Sequence, residues 1–349
     1  MRTPDHPYAG LPPTAFWRTG VAQDDPFAPA GLVRPRFRLG RDAMVATAGS
    51  CFAQHVGRAL HGAGVNVLDA EPAPIGMSPA QAADHGYGLF STRYGNIYTA
   101  RQMRQLVEDA QQGRADPDQV WARPDGRFAD ALRPTLDPGG YDTADEVIAA
   151  RRLHLRAVRG VLASASHLVL TLGLTETWAD RRTGRVWPVC PGVAGGRFDP
   201  DRHRFLNLRW PDVIEDLEGL RTTLHRLNPA IRMILTVSPV PLTATASGDH
   251  VLAATTRSKA TLRAAAGDFA EAHEDVDYFP AYEIVTHPAA RGAFYAPNLR
   301  EVRPQGVATV MAAFMAAHGL RARASQDAAS DEADTRCDEL LLDAFAGRG

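Results

Sequence analysis

Residues 44–50 read MVATAGS, a run of apolar and small side chains that ends in glycine and serine. The next residues, FAQHVGRALHGAG (52–64), place Phe52 and Val56 on one helical face and end in glycines. A continuous apolar run predicts a buried strand, and an apolar stripe with a spacing of four predicts an amphipathic helix. The stretch therefore predicts a strand, a tight turn and a helix.

The same alternation continues through the chain. Strands that are apolar along their whole length and alternate with helices are typical of a parallel sheet covered on both faces. The sequence therefore predicts one three-layer α/β domain over residues 44–320, with mainly parallel strands. Apolar runs predict further strands at 167–172, 233–238 and 277–284, and helical stripes predict helices at 100–111, 213–227, 258–274 and 306–319.

The remaining segments lack a helical or strand period. Residues 1–43 are rich in Pro, Arg and Asp and predict an irregular N-terminal arm. Residues 112–150 and 179–212 are Pro-, Gly- and Asp-rich and predict aperiodic insertions. Residues 321–349 form a C-terminal tail in which DELLLDAFAG offers a short helix, although a partly disordered or loosely docked end is the preferred interpretation.

Composition limits the class of protein. The chain has 349 residues and a net charge of -2, from 38 Lys and Arg against 40 Asp and Glu. This balance argues against nucleic-acid and anionic-membrane partners. The spacing of the three cysteines, Cys51, Cys190 and Cys337, matches neither a disulfide framework nor a zinc site. No apolar run reaches the roughly 18 residues that a membrane span needs. The first residues lack the apolar stretch of a secretory signal, so we expect a protein that is not exported. We expect a cytoplasmic protein without a metal or organic cofactor.

A parallel sheet binds ligands at the carboxyl ends of its strands, where helix N-termini point into the crevice. Ser50 follows the first strand directly. A serine at such a turn can present its hydroxyl beside the N–H groups of the next helix, as a nucleophile needs. The structural alternative is that Ser50 only caps the helix.

Other polar groups follow later strands. Gly95 and Asn96 lie in a turn within YGNIYTARQ (94–102), where both suit an oxyanion, although asparagine is also common in structural turns. TLGLTETW (171–178) places a carboxylate, Glu176, at the end of a buried strand. Because an isolated carboxylate is costly to bury, we interpret Glu176 as a site residue. Gly173 and Trp178 of the same segment are predicted to contact the substrate.

The pentapeptide Gly49-Ser50-Cys51-Phe52-Ala53 resembles the GSCFA-domain family, which is named for it. The resemblance extends over residues 7–320 and implies a flavodoxin-like fold of the SGNH/GDSL hydrolase superfamily, a distant relative of the family. Further segments resemble family blocks in their order: PYAGLPPTAFWR (7–18), LDAEPAP (68–74), YGNIYTARQ, TLGLTETW, TVSPVPLTAT (236–245), SKATLRAAAG (258–267) and DYFPAYEIV (277–285).

The resemblance implies roles for individual residues. Ser50 matches the nucleophile, Gly95 matches the glycine oxyanion donor, and Gly173 matches the first position of the Gly-x-Asn-Asp block. Thr175 stands where SGNH enzymes carry the oxyanion asparagine, so Asn96 is the candidate to supply that amide.

The last SGNH block is altered. Where the superfamily has Asp-x-x-His, residues 298–301 read Asn-Leu-Arg-Glu, so neither the acid nor the base is present. The general base is then His250, His287 or Glu301. A carboxylate base requires a pKa raised by burial, whereas a lone loop histidine is more often a surface residue.

The leading hypothesis is an SGNH-type serine ester hydrolase or O-acyltransferase. It would act on an O-acyl, preferentially O-acetyl, group of a carbohydrate or another small polar substrate, with Ser50 attacking and its own N–H helping Gly95 and Asn96 to bind the oxyanion. The rival is a binding or scaffold protein that kept the fold and lost catalysis. A third alternative is a different enzyme that uses Glu176 and Glu301. The acyl donor, the acceptor and the oligomeric state stay open.

Overall fold

The computed structural model describes residues 6–320 and 338–346. Its strands are β1 (Met44–Gly49), β2 (Asn66–Val67), β3 (Val120–Ala122), β4 (Phe128–Asp130), β5 (His167–Leu172), β6 (Glu176–Asp180), β7 (Val186–Trp187), β8 (His203–Asn207), β9 (Arg232–Val237) and β10 (Val276–Phe279). Its α-helices are α1 (Ala53–Gly62), α2 (Pro79–Asp84), α3 (Ala100–Gln112), α4 (Ala144–Ser164), α5 (Trp210–Leu227), α6 (Val251–Ala272), α7 (Ala281–Thr286) and α8 (Pro304–His318).

The central sheet is parallel and has five strands in the order β10-β9-β5-β1-β2. Read from β2, this is the flavodoxin-like order. The chain goes from β1 to the edge strand β2, and then returns to add β5, β9 and β10 on the other side of β1. The predicted three-layer α/β fold of flavodoxin-like type is therefore confirmed. The order in which strands are added reverses between β1 and β5, which makes their carboxyl ends the topological switch point.

Alternate residues of the sheet face two separate cores. On one side, residues such as Ala46 and Leu168 pack in a large cluster with α3, α4, α5 and α6. On the other side, Val45, Val169 and Ile234 pack with α1, α7 and α8. The period of two in these strands produces the three layers, because successive side chains point to opposite faces.

The segments interpreted as aperiodic insertions contain regular structure. Residues 112–150 include the β3–β4 hairpin and the first turns of α4. Residues 179–212 contain the end of β6 with β7 and β8, which form an antiparallel sheet of order β7-β6-β8. Helix α4 is not predicted although a capping box of Thr143 and Glu146 opens it, because Arg151 and His154 occupy buried positions of its inner face. Polar side chains at those positions interrupt the apolar stripe on which the prediction of a helix depends.

Two predicted boundaries are wrong. The strand expected at 277–284 ends at Phe279, and Ala281–Thr286 forms α7, because Pro280 lacks the N–H that a further ladder bond needs. The helix expected at 258–274 begins at Val251. His250 is consequently the N-cap of α6 and not part of a long loop.

The flanking segments were predicted to be an arm and a tail. Within residues 6–43, helical structure is limited to a 3-10 turn at Pro13–Ala15 and a π turn at Arg18–Ala22. Most of the tail lies outside the described residues, but Asp338–Phe345 forms a 3-10 helix. In the part of the chain that the structure describes, no helix is both long enough and apolar enough to cross a bilayer.

Candidate functional site

Gly49 gives the chain the turn that presents Ser50. Its φ of 138° is rare for residues with a side chain, and a Cβ atom there would lie 2.4 Å from the carbonyl oxygen of Thr171. The close approach of β1 to β5 at this point therefore requires glycine. The Ser50 N–H donates to the same Thr171 oxygen at 3.1 Å, so it is already used by the sheet and is not aimed at a ligand.

The Ser50 hydroxyl lies at the switch point between β1 and β5. Ser50 is 3% exposed, and its Oγ has no hydrogen-bond partner among residues 6–320 and 338–346. The hydroxyl is therefore available to a group that enters the adjoining cavity. Ser50 borders a small cavity, whose lining also includes Cys51, Tyr98, Gly173, Leu174, Ser238, Val240 and Leu242.

The cavity is small and covered by apolar side chains. It offers about 10 Å³ to the centre of a water molecule, which is about enough for one water. Tyr98, Leu174 and Leu242 pack against one another as a separate apolar cluster. Leu242 belongs to the segment between β9 and α6, so this segment supplies part of the cavity wall.

The segment 94–98 lies beside Ser50. The Ile97 N–H donates to the Gly49 carbonyl at 2.9 Å, and the Tyr98 carbonyl accepts the N–H groups of Gly173 and Leu174. The structure thereby brings Asn96, which is 5% exposed, next to the turn that carries Ser50. Gly95 has a left-handed φ of 71°, but its α-carbon faces Arg133 and Leu136.

A model of the GSCFA family matches residues 44–314. The chain belongs to the GSCFA family. No curated protein matches the sequence at a significant level. The matched region of this GSCFA protein contains every strand of the central sheet and the whole cavity around Ser50.

The polar residues after β5 face away from this cavity. The Thr175 hydroxyl donates to Asn207 Oδ1 at 2.7 Å, and its N–H donates to Ser258 Oγ. Glu176 accepts from Thr245 Oγ1 at 2.7 Å, and burial raises the pKa of its carboxyl group. Glu176 thus holds the same segment that carries Leu242.

Trp178 is placed in the antiparallel sheet, at a distance from the Ser50 cavity. Its ring packs edge-on against Phe198 and Phe205, and it contacts an apolar cluster around Trp187. Trp178 is absent from the cavity lining. Its contact with a substrate stays a prediction.

None of the three candidate bases borders the cavity. His250 is exposed, and its Nδ1 accepts the Leu252 N–H at 3.1 Å as a helix cap. His287 lies between α7 and a 3-10 turn, and burial lowers its pKa. Glu301 is exposed, whereas a carboxylate base requires burial. The identity of the base stays a prediction.

The structure adds a residue whose role the sequence did not indicate. Lys259 is 1% exposed, and its Nζ donates to the carbonyl of Gly173, whose α-carbon lies against Ser50. Its neighbour Ser258 accepts the Thr175 N–H. The sequence signal that could have found it is the position of Lys259 on the inner face of a predicted amphipathic helix, because lysine is rarely buried without a partner.

The described residues do not include a cluster of side chains suited to bind a metal ion. No group of three or more His, Cys, Asp or Glu side chains suited to a metal ion occurs within residues 6–320 and 338–346. Cys190, far from Ser50 in sequence, has a pKa raised to about 11 by burial, so it is a poor thiolate donor near neutrality.

Proposed function

We propose that this GSCFA protein is an SGNH-type serine ester hydrolase or O-acyltransferase with Ser50 as its nucleophile. The observation that carries the proposal is the buried Ser50 hydroxyl, without a hydrogen-bond partner in the described residues, at the switch point of a flavodoxin-like sheet. Ligands of such sheets bind at this crevice. A nucleophilic serine must keep its hydroxyl available to a substrate and a base, which an ordinary helix cap does not.

The proposed oxyanion donors come from the segment beside Ser50. Because the Ser50 N–H is bonded to Thr171, the Gly95 N–H and the Asn96 side-chain amide are the proposed donors. Donors fixed before the reaction stabilise a developing oxyanion without reorganising. Several hydrogen bonds fix this segment, including those from Ile97 to Gly49 and from Gln102 to the Asn96 carbonyl.

The proposed substrate carries a short acyl group, preferentially acetyl, on a carbohydrate or another small polar molecule. The support is the size of the cavity, which in this conformation admits one water and whose cover is Leu242. A short acyl group requires the smallest displacement of that cover. The polar part of the substrate would extend toward the antiparallel sheet that carries Trp178.

The base is proposed to be His250, His287 or Glu301, brought to Ser50 when the cover moves, or Lys259. The lysine is added because it already contacts Gly173, the glycine that packs on Ser50. Serine hydrolases that pair serine with lysine show that an amine can replace histidine in this role.

A serine-reactive organophosphonate tests the proposal directly. We expect one phosphonate per chain, found by mass spectrometry on the peptide that contains Ser50, and hydrolysis of p-nitrophenyl acetate that Ser50→Ala abolishes. Ser164→Ala, at the end of α4 on the protein surface, is the matched control and should label like the wild type.

The rival function is a binding or scaffold protein with an SGNH-like fold. The altered segment 298–301 favours it, because the superfamily acid and base are both missing there. An unlabelled Ser50 together with no esterase activity in any variant would contradict the hydrolase and support this rival.

A further inference from the structure

A second cavity lies on the other side of the segment 94–98. It is bordered by Tyr94 and Ile97 of that segment, by Gln102 and Gln105 of α3, and by Arg151 and Arg185. It offers about 20 Å³ to the centre of a water molecule, enough for one or two waters or a small ion. It shares no lining residue with the Ser50 cavity.

A cluster of buried charges stands behind this cavity, and its two carboxylates are already paired. Asp109 accepts hydrogen bonds from Arg114 and Arg185, both at 2.9 Å or less. Asp130 accepts from Arg133 Nε at 2.7 Å. Three arginines therefore use these carboxylates before the fourth, Arg151, is considered.

Among the arginines of this cluster, Arg151 has no carboxylate within hydrogen-bond distance in the described part of the chain. It is 2% exposed, and the nearest approaches of its guanidinium group to Asp109 and Asp130 are both 3.7 Å. These distances are too long for hydrogen bonds. Its Nε has no hydrogen-bond partner within residues 6–320 and 338–346. A buried charge with incomplete pairing is costly, so a missing counter-charge would stabilise this site.

The other polar groups of the lining have no acceptors to spare for a cation. Gln102 accepts from the Tyr98 N–H and donates to the Asn96 carbonyl, and Gln105 bonds to Val186 N and Gly184 O. The Tyr94 hydroxyl donates to the Thr47 carbonyl. No carboxylate borders this cavity in the described part of the chain. The lining thus presents positive charge and guanidinium donors.

We propose that this cavity binds a small anion between Arg151 and Arg185. The anion is a halide ion or the carboxylate group of a small organic acid, since the space does not admit a larger group. A guanidinium group binds carboxylates well because its N–H groups match them in charge and geometry. The site does not depend on the proposed activity of Ser50. Because Tyr94 and Ile97 form its wall, a bound anion would also order the segment that carries Gly95 and Asn96.

Thermal unfolding in sodium chloride and in sodium acetate tests the site and distinguishes the two sources of the anion. A ligand that binds only the folded protein raises the Tm with saturation. We expect a saturable rise on the order of 2 °C in one or both salts for the wild type. The same rise is expected for Arg152→Met, an exposed neighbour on α4, and no saturable rise for Arg151→Met. Screening and general salt effects act alike on all three proteins.

The proposal is overturned if neither salt gives a saturable rise in the wild type, or if Arg151→Met responds like the wild type. If Arg151→Met does not fold, diffraction from wild-type crystals soaked in sodium bromide and in sodium acetate replaces that variant. Density for the soaked anion beside Arg151 Nε supports the site, and water alone there contradicts it. Bound bromide without any stabilisation in solution marks an adventitious ion only and also overturns the proposal.

Discussion

Gly173 packs so closely on Ser50 that a Cβ atom at position 173 would lie 3.0 Å from the Cβ of Ser50. The same atom would lie 3.2 Å from the ring of Tyr98. Both values are tighter than ordinary side-chain contacts. The glycine after β5 is therefore part of the wall that fixes where the Ser50 hydroxyl lies.

Gly173→Ala is expected to slow the reaction at Ser50 more than it destabilises the fold. Overpacking typically costs about 1–3 kcal/mol, whereas a small displacement of a reacting group can cost about 10²-fold in rate. The rate of phosphonate labelling and the denaturant midpoint measure the two effects separately. Gly160→Ala, in a helix with open space around it, is the control and should label normally. Wild-type labelling by Gly173→Ala would remove the glycine from the site.

Leu242→Ala is expected to widen acyl specificity. Leu242 is 5% exposed and covers the Ser50 cavity with Tyr98 and Leu174, so its truncation leaves space where a longer acyl chain can lie. The ratio of kcat/KM for p-nitrophenyl butyrate to that for the acetate should rise, at a cost of about 2–5 kcal/mol in the free energy of unfolding. An unchanged ratio in a folded variant would show that Leu242 does not cover the path of the acyl group.

The Glu176 carboxylate makes stability depend on pH. Burial raises its folded-state pKa above 4.5, so its favourable contribution to folding is present below that unfolded value and is lost as pH rises through the folded pKa. Glu176→Gln should therefore gain stability over the wild type as pH rises from 4 to 8. Denaturant midpoints across this range measure the gain, with the exposed residue Glu274 substituted by Gln as the control. A gain that shrinks with rising pH would have the wrong sign.

His318 should contribute to acid sensitivity. Burial lowers its pKa from 6.5 to about 4, and its Nδ1 accepts the Leu39 N–H at 3.2 Å, which requires an unprotonated nitrogen. The unfolded chain takes up the proton first, so stability falls as pH drops from 6.5 to 4. His318→Gln should have a flatter stability profile over this interval than the wild type. The exposed His61→Gln should not, and equal profiles for all three proteins would contradict the assignment.

The sequence predicts the centre of this structure better than its periphery. β1 and β5 are mostly apolar, so their strands, their parallel pairing and the meeting of Ser50 with Gly173 follow from the sequence pattern and from the edge rule for parallel sheets. Helix α4 is not predicted from the sequence, because Arg151 and His154 are buried by partners that are distant in sequence. The position of Leu242 is not predicted either, since its N–H donates to Thr255 Oγ1 and its segment is bonded to Glu176 through Thr245.

The general base is the least determined part of the proposed reaction, and single substitutions decide among its candidates. Removal of a general base typically costs about 10²-fold or more in rate. His250→Ala, His287→Ala, Glu301→Gln and Lys259→Met should therefore separate into one strong loss of p-nitrophenyl acetate hydrolysis and three small effects.

Lys259→Met needs a second measurement. The variant loses the bond from Lys259 to the Gly173 carbonyl, and this loss can displace Ser50 even if Lys259 has no role in proton transfer. The pH profile of kcat/KM separates the two roles, since loss of a base removes a limb of the profile, whereas displacement lowers the profile and keeps its shape. A strong loss confined to His250→Ala or His287→Ala would mean that the segment bearing that histidine closes on Ser50 during the reaction. If all four variants and Ser50→Ala keep full activity, the activity does not belong to this site, and the hydrolase proposal is wrong.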